Sequence, residues 1–148
     1  MVVKNPDTRQ RWYYDACVLD HEKSYHEIVN KNDLRINYVS HLSIGEAYGN
    51  CLRKGKDENQ AAAFINLINT VKKYINIIGN DGRSEYFNKV RTKFSHLDLC
   101  DTVHLSTAIS YSCDILLTND CHLSGLDAKE IKELSEELSG KKLIIKKI

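Results

Sequence analysis

The sequence predicts an α/β sandwich with a mainly parallel central sheet. Three observations carry that expectation. Short apolar segments of strand character alternate along the chain with longer segments of helical period. One short segment, Ile115-Leu116-Leu117-Thr118, is continuously apolar, as a strand covered on both faces should be. A single proline and only seven glycines leave little to interrupt helices.

The first ten residues are a polar lead-in. Arg11 to Ala16 (RWYYDA) reads as a strand whose aromatic run meets a carboxylate. Leu19 to Asn32 is a helix with Leu19, Tyr25, Ile28 and Val29 inward. Leu34 to Val39 alternates apolar and polar with period two, the mark of a half-buried strand. Ser40 is placed to cap the next helix, which runs to Arg53 with an apolar stripe at Ile44, Ala47, Tyr48, Cys51 and Leu52. After the charged turn at 53–59, Gln60 to Lys73 is helical, with Ala61, Phe64, Ile65, Ile68 and Val71 recurring on one side. The β-branched segment Tyr74 to Ile78 is a strand that stops at Gly79-Asn80-Asp81-Gly82. Helices are expected over Arg83 to Phe94 and Leu99 to Ser112, then the buried strand. A Glu/Lys-rich helix spans Ala128 to Leu138, Gly140 stops it, and Lys142 to Ile148 is a last strand.

At 148 residues the chain suits one domain, 1–148, and 42% hydrophobic with 28% charged residues gives it a core rather than disorder. Twenty-one basic against 20 acidic residues, a formal charge of +1, exclude a polycation and an acidic tail protein. Nucleic-acid binding stays open, because total charge does not say where charges sit. No apolar run approaches the roughly 18–20 residues of a membrane span, and the N-terminus lacks a signal-peptide stretch. Five cysteines without a CxxC pair argue against a disulfide framework or a structural zinc site. The expected setting is the reducing cytoplasm, with no membrane partner.

In parallel sheets ligands gather beyond the carboxyl ends of the strands. Asp15 and Asp120 both follow strands, although either alone could serve as a turn former or helix cap. Asp101 shares the stripe of Leu105 and Ala108, and an inward carboxylate costs several kcal/mol unless paired, hydrogen-bonded or metal-bound. Its plain alternative is a first-turn aspartate answering the helix dipole. Glu46 lies with Leu42 and Gly49 off the apolar stripe, where periodicity places a surface glutamate; Gly45 and Gly49 would admit a close approach to that face. Carboxylates brought together repel unless a cation holds them, and an oxygen-only set suits Mg²⁺ or Mn²⁺.

At these residues the sequence resembles the PIN-domain family of nucleases. The matching pieces are Tyr13-Tyr14-Asp15, Glu46 within Ser43-Ile44-Gly45-Glu46, Asp101-Thr102-Val103-His104 continuing to Ala108, and Thr118-Asn119-Asp120, ordered over residues 11–124. The resemblance implies a three-layer α/β/α sandwich and a Mg²⁺- or Mn²⁺-dependent endoribonuclease, often a homodimer. It carries the metal-binding and catalytic acids onto Asp15, Glu46, Asp101 and Asp120, with Thr118 and Asn119 supporting them. Toxins of VapBC-type toxin–antitoxin pairs are among its members, which implies RNA as substrate and an antitoxin as partner. One departure is Ala16-Cys17, where the family commonly has a small polar pair.

Other residues have plainer readings. His104 reads as a hydrogen-bonded core histidine rather than a general acid–base group. Cys113 and Cys121 read as buried packing. Arg53, Lys54 and Lys56, and Arg83, Lys89, Arg91 and Lys93, are candidates for RNA phosphates or plain solvated faces. Lys141, Lys142, Lys146 and Lys147 suit an edge strand. A catalytically inactive PIN-like scaffold gripping RNA or a protein is the rival reading. A phosphoryl-accepting receiver is disfavoured, since only Asp15 occupies the place of its early acidic pair. The nuclease reading splits the near-neutral charge into an acidic pit in a mildly basic body.

Overall fold

The alternation of short and long segments folds into five strands and seven helices in the computed structural model, which describes residues 7–19, 22–53, 58–79 and 84–148. The strands are β1 (Gln10–Tyr14), β2 (Arg35–Ser40), β3 (Ile75–Ile78), β4 (Ile115–Thr118) and β5 (Ile144–Lys147). They pair in the order β3-β2-β1-β4-β5, every pair parallel. The sheet therefore grows outward from β1 in one direction and resumes on its other side with β4. Between the carboxyl ends of β1 and β4 lies the switch point where such sheets form a ligand crevice.

The two-residue period of a strand sends alternate side chains to opposite faces. Trp12, Tyr14, Val39, Ile75, Ile115 and Leu117 meet α1 (Glu22–Asn30), α2 (His41–Arg53) and α3 (Glu58–Val71) on one face. Tyr13, Tyr38, Ile78 and Leu116 meet α4 (Ser84–Lys93), α5 (Leu99–Ser110) and α7 (Ala128–Ser139) on the other, with α6 (Cys121–Ser124) at the end of β4. This is the three-layer α/β/α sandwich.

Most elements lie where periodicity put them. Ser40 caps α2, its hydroxyl accepting the Ser43 N–H at 3.0 Å. Gly140 ends α7 in the left-handed region at φ 76°. The chain leaves β1 through a 3-10 turn, Ala16–Val18, so the first helix starts only at Glu22. Val29, Tyr48, Leu52 and Ile65, expected inward, are exposed. Each sits next to a buried residue (Ile28, Ala47, Cys51, Phe64), and a step of one residue turns a helix by about 100° away from the sheet. Cys113 is buried as expected, whereas Cys121 is exposed, because the four-residue α6 is too short to pack its first residue. β5 is an edge strand with Lys146 and Lys147 exposed. No described helix is long and apolar enough to cross a membrane.

Candidate metal centre

Asp15 stands immediately beyond β1, with its N–H still on the ladder to Leu117 O at 3.0 Å. Its side chain is 5% exposed. Oδ1 accepts the Ala16 N–H at 2.7 Å and so starts the 3-10 turn. Oδ2 accepts the hydroxyl of Thr118 at 2.7 Å, from the end of the neighbouring strand. The same Thr118 oxygen accepts the Asp120 N–H at 3.0 Å. Asp120 Oδ1 in turn caps α6, accepting from His122 N at 2.6 Å and Leu123 N at 3.3 Å. Its Oδ2 has no hydrogen-bond partner among the described residues.

α5 brings two groups to the same place. Asp101 and His104 are three residues apart, so one helix face carries both. His104 is 1% exposed and uses both ring nitrogens. Nδ1 lies 2.7 Å from the Tyr13 hydroxyl. Nε2 lies 3.0 Å from Glu46 Oε1 and 3.3 Å from Asp15 Oδ1. Burial disfavours the imidazolium, but the hydrogen bond to Glu46 and the charges of Asp15, Glu46 and Asp101 outweigh it and raise the histidine's pKa. The Tyr13 oxygen also contacts Ser40 Oγ at 2.8 Å, and Ser43 Oγ donates to Tyr14 O at 3.0 Å. A line of buried polar groups thus runs from the start of α2 under the sheet end to His104.

Asp101 is 7% exposed, and its carboxylate has no hydrogen-bond partner among the described residues. Burial, then the charges of Asp120, Asp98 and Asp15, push its pKa up to about 6. A carboxylate without protein donors, inside the field of other carboxylates, is a group whose anion a cation would favour. The donor set fits a hard dication: Asp15, Glu46, Asp101 and Asp120 offer oxygens, and one atom each of Asp15, Glu46 and His104 lie within 4.8 Å of one another.

The structure brings Asp15 and Glu46 onto His104, sets Asp101 in the field of Asp120 and Asp15, and joins Asp15 to Asp120 through Thr118. Asn119 is exposed, and its backbone N–H points to Cys17 Sγ at 3.0 Å. Glu46 is half-buried rather than a free surface residue, because its partner arrives from α5. No described group approaches Gly45, and Gly49 meets only the flexible Arg53 guanidinium, so the expected close approach to that face is absent there. Two residues gain a part that the sequence reading did not give them. His104 is the core histidine expected, yet it also binds two of the acids; its signal was the three-residue spacing from Asp101. Cys17 touches Asp15 Oδ2 at 3.4 Å and Thr118 Oγ1 at 3.5 Å, and its signal was the departure from a polar pair. Of the expected phosphate-binding cations, Arg53 and Arg91 are exposed, Lys89 pairs with Glu137 at 3.2 Å and Lys93 with Glu130 at 3.8 Å, and Lys54, Lys56 and Arg83 lie outside the described residues.

No family model and no curated protein matches the chain. Solved structures do. A chain of VapBC2 from Rickettsia felis, bound to a DNA fragment from its promoter, superposes with a TM-score of 0.63 at 15% identity, over 94% of this chain and 99% of that one. The chain has the PIN-like fold. PAE2754 from Pyrobaculum aerophilum shares this PIN-like fold at a TM-score of 0.60 and 17% identity, covering 88% of this chain and 96% of its own. DNA-bound VapBC from Salmonella typhimurium follows at 0.57 and 9%, covering 92% and 98%. The acids of this PIN-like fold lie where the strand order reverses.

Proposed function

We propose that the chain is a metal-dependent endoribonuclease whose acids Asp15, Glu46, Asp101 and Asp120 hold one or two Mg²⁺ or Mn²⁺ ions. The observation that carries this reading is Asp101: burial and then the charges of Asp120, Asp98 and Asp15 raise its pKa to about 6, no donor among the described residues offsets them, and a cation beside it would favour its anion. Such an ion, when bound, acidifies water and offsets the charge that develops on a phosphoryl group. The chain's own residues do the positioning. Thr118 holds Asp15 Oδ2 and the Asp120 backbone, so both acids are fixed before any ion arrives. Without an ion, His104 keeps a proton at Nε2 between Asp15 and Glu46 and tempers their repulsion. Exposed Arg53 and Arg91 are cations that RNA phosphates could meet.

The likeness to chains of VapBC complexes supports the role of toxin in a toxin–antitoxin pair, with a protein antitoxin as partner. A homodimer is the working form implied by the resemblance in sequence to the PIN-domain family. Incubating RNA with the wild type and with Asp15→Asn in Mn²⁺ tests the nuclease. The wild type should cut and the variant should not. Equal cleavage by both, or cleavage by neither, overturns the proposal.

A further inference from the structure

Away from the acids, a cleft of about 190 Å³ opens between the first turns of α1 and the end of β5, floored by Trp12 and Leu117. Ser24 lines it. Its hydroxyl is buried, the residue 3% exposed, and finds no hydrogen-bond partner among the described residues. A buried hydroxyl without a partner is uncommon. It is an unused donor and acceptor on a residue that lines the cleft.

The rest of the wall is cationic. Lys23 comes from α1, Arg35 from β2, and Lys146 and Lys147 from β5. Among the described lining residues the acidic side chain is Glu27, and it pairs with Arg35 at 3.2 Å. The three lysines have no carboxylate partner among the described residues. The Arg35 guanidinium lies 3.6 Å from the Trp12 ring centroid and the Lys146 ammonium 5.4 Å from it, so the indole steadies cations on two sides. Cations converging from three elements around an unused hydroxyl match an anion with several acceptor oxygens better than a flat carboxylate. The place matters as well. Lys147 pairs in register with Thr118, and the Ile148 N–H donates to Thr118 O at 3.2 Å, so the cleft is built on the strand whose end holds Asp15.

We propose that this cleft binds a phosphate group through Ser24, Lys23, Arg35 and Lys146. The phosphate belongs either to an RNA strand passing the acidic centre or to a free phosphate monoester. Neither source requires that the chain cut RNA.

The test uses metal-free protein. Inorganic phosphate should raise the melting temperature of the wild type above chloride and acetate at equal ionic strength. Ser24→Ala should melt no lower than the wild type without phosphate, since it deletes an orphan, yet lose most of the phosphate increment. The double variant Lys23→Gln/Lys146→Gln should lose it too. A fluorescent twelve-nucleotide RNA in EDTA separates the sources: about tenfold weaker binding to the double variant assigns a strand phosphate, as expected for lost phosphate contacts. Unchanged RNA binding with a saturable increment from a nucleoside 5′-monophosphate assigns the monoester. A wild type that answers phosphate no more than acetate, or variants that keep the full increment, overturn the site. Binding is read without metal, so a failure to cleave RNA leaves this result independent.

Discussion

The hydroxyl of Thr118 donates to Asp15 Oδ2 at 2.7 Å, joining the ends of two parallel strands that are 103 residues apart in the chain. Because the same oxygen accepts the Asp120 N–H, one small side chain fixes two of the proposed metal acids. Thr118→Val keeps the shape and removes both bonds. An Asp15 oxygen and the Asp120 N–H are then left short of partners, which should cost about 1–3 kcal/mol of stability. Loss of such a supporting bond should weaken Mn²⁺ affinity by about 10–100-fold, while Thr118→Ser should retain most of it. Mn²⁺-dependent melting curves of the three proteins measure both effects. Identical curves for Val and wild type would remove Thr118 from the centre.

Tyr13 offers a second probe, on the far side of His104. Its hydroxyl meets Nδ1 at 2.7 Å and Ser40 Oγ at 2.8 Å, in a site closed to water. Tyr13→Phe deletes one oxygen and preserves the ring. His104 then loses the partner that orients it toward Glu46 and Asp15. Urea unfolding should show a loss of about 1–3 kcal/mol, with no change in the slope against urea. A loss below the error of the measurement would mean that the tyrosine oxygen does not support the histidine.

These two contacts mark where the sequence stops being legible. The strands and helices followed from local period, and the switch-point position of Asp15 and Asp120 followed from their places after apolar runs. Asp101 was legible as inward because Leu105 and Ala108 share its stripe. Glu46 was not, because helical period describes a helix against its own sheet, whereas Glu46 is engaged by His104 arriving from another helix, 58 residues on. The Tyr13–Ser40–His104 chain has the same character: three unremarkable residues meet because β1, β2 and α5 end at one place. Cys121 was misplaced for the opposite reason, since a four-residue helix has no period to read.

Gly140 gives a prediction about stability alone. It closes α7 at φ 76°, donating its N–H to Glu136 O at 2.9 Å. An added Cβ would meet nothing within 4 Å, so packing plays no part. Gly140→Ala should therefore cost only the left-handed backbone penalty, about 1–2 kcal/mol. Gly140→Asn should cost less, because asparagine tolerates that region better. Equal stability of glycine and alanine in thermal unfolding would show that the helix ends differently in solution.

The acidic centre should also reveal itself in how the metal-free protein responds to pH. Asp101 titrates at about 6 when folded, against an ordinary value of 3.8, because burial and then the charges of Asp120, Asp98 and Asp15 disfavour its anion. Between those values the folded protein holds a proton that the unfolded chain has released. Stability must then fall as pH rises from about 4 to about 6 and level off above, by less than the roughly 3 kcal/mol of the full shift, because solvent that reaches the carboxylate screens it. His104 acts in a higher window with the same sign. Its pKa is raised by Glu46 and its acidic neighbours against the opposing effect of burial, so its contribution is complete below the ordinary histidine value and disappears as pH passes its folded value. Asp101→Asn cannot ionise and should abolish the lower step while leaving the upper one. Mn²⁺ at pH 7 should restore stability to the wild type and much less to the variant, because the ion supplies the charge that Asp101 lacks. Unfolding free energies from pH 4 to 8, with EDTA or Mn²⁺, measure all three. If wild type and Asp101→Asn trace the same curve below pH 6, Asp101 is not held in the field of the other acids, and the argument for a cation at this centre loses its main support.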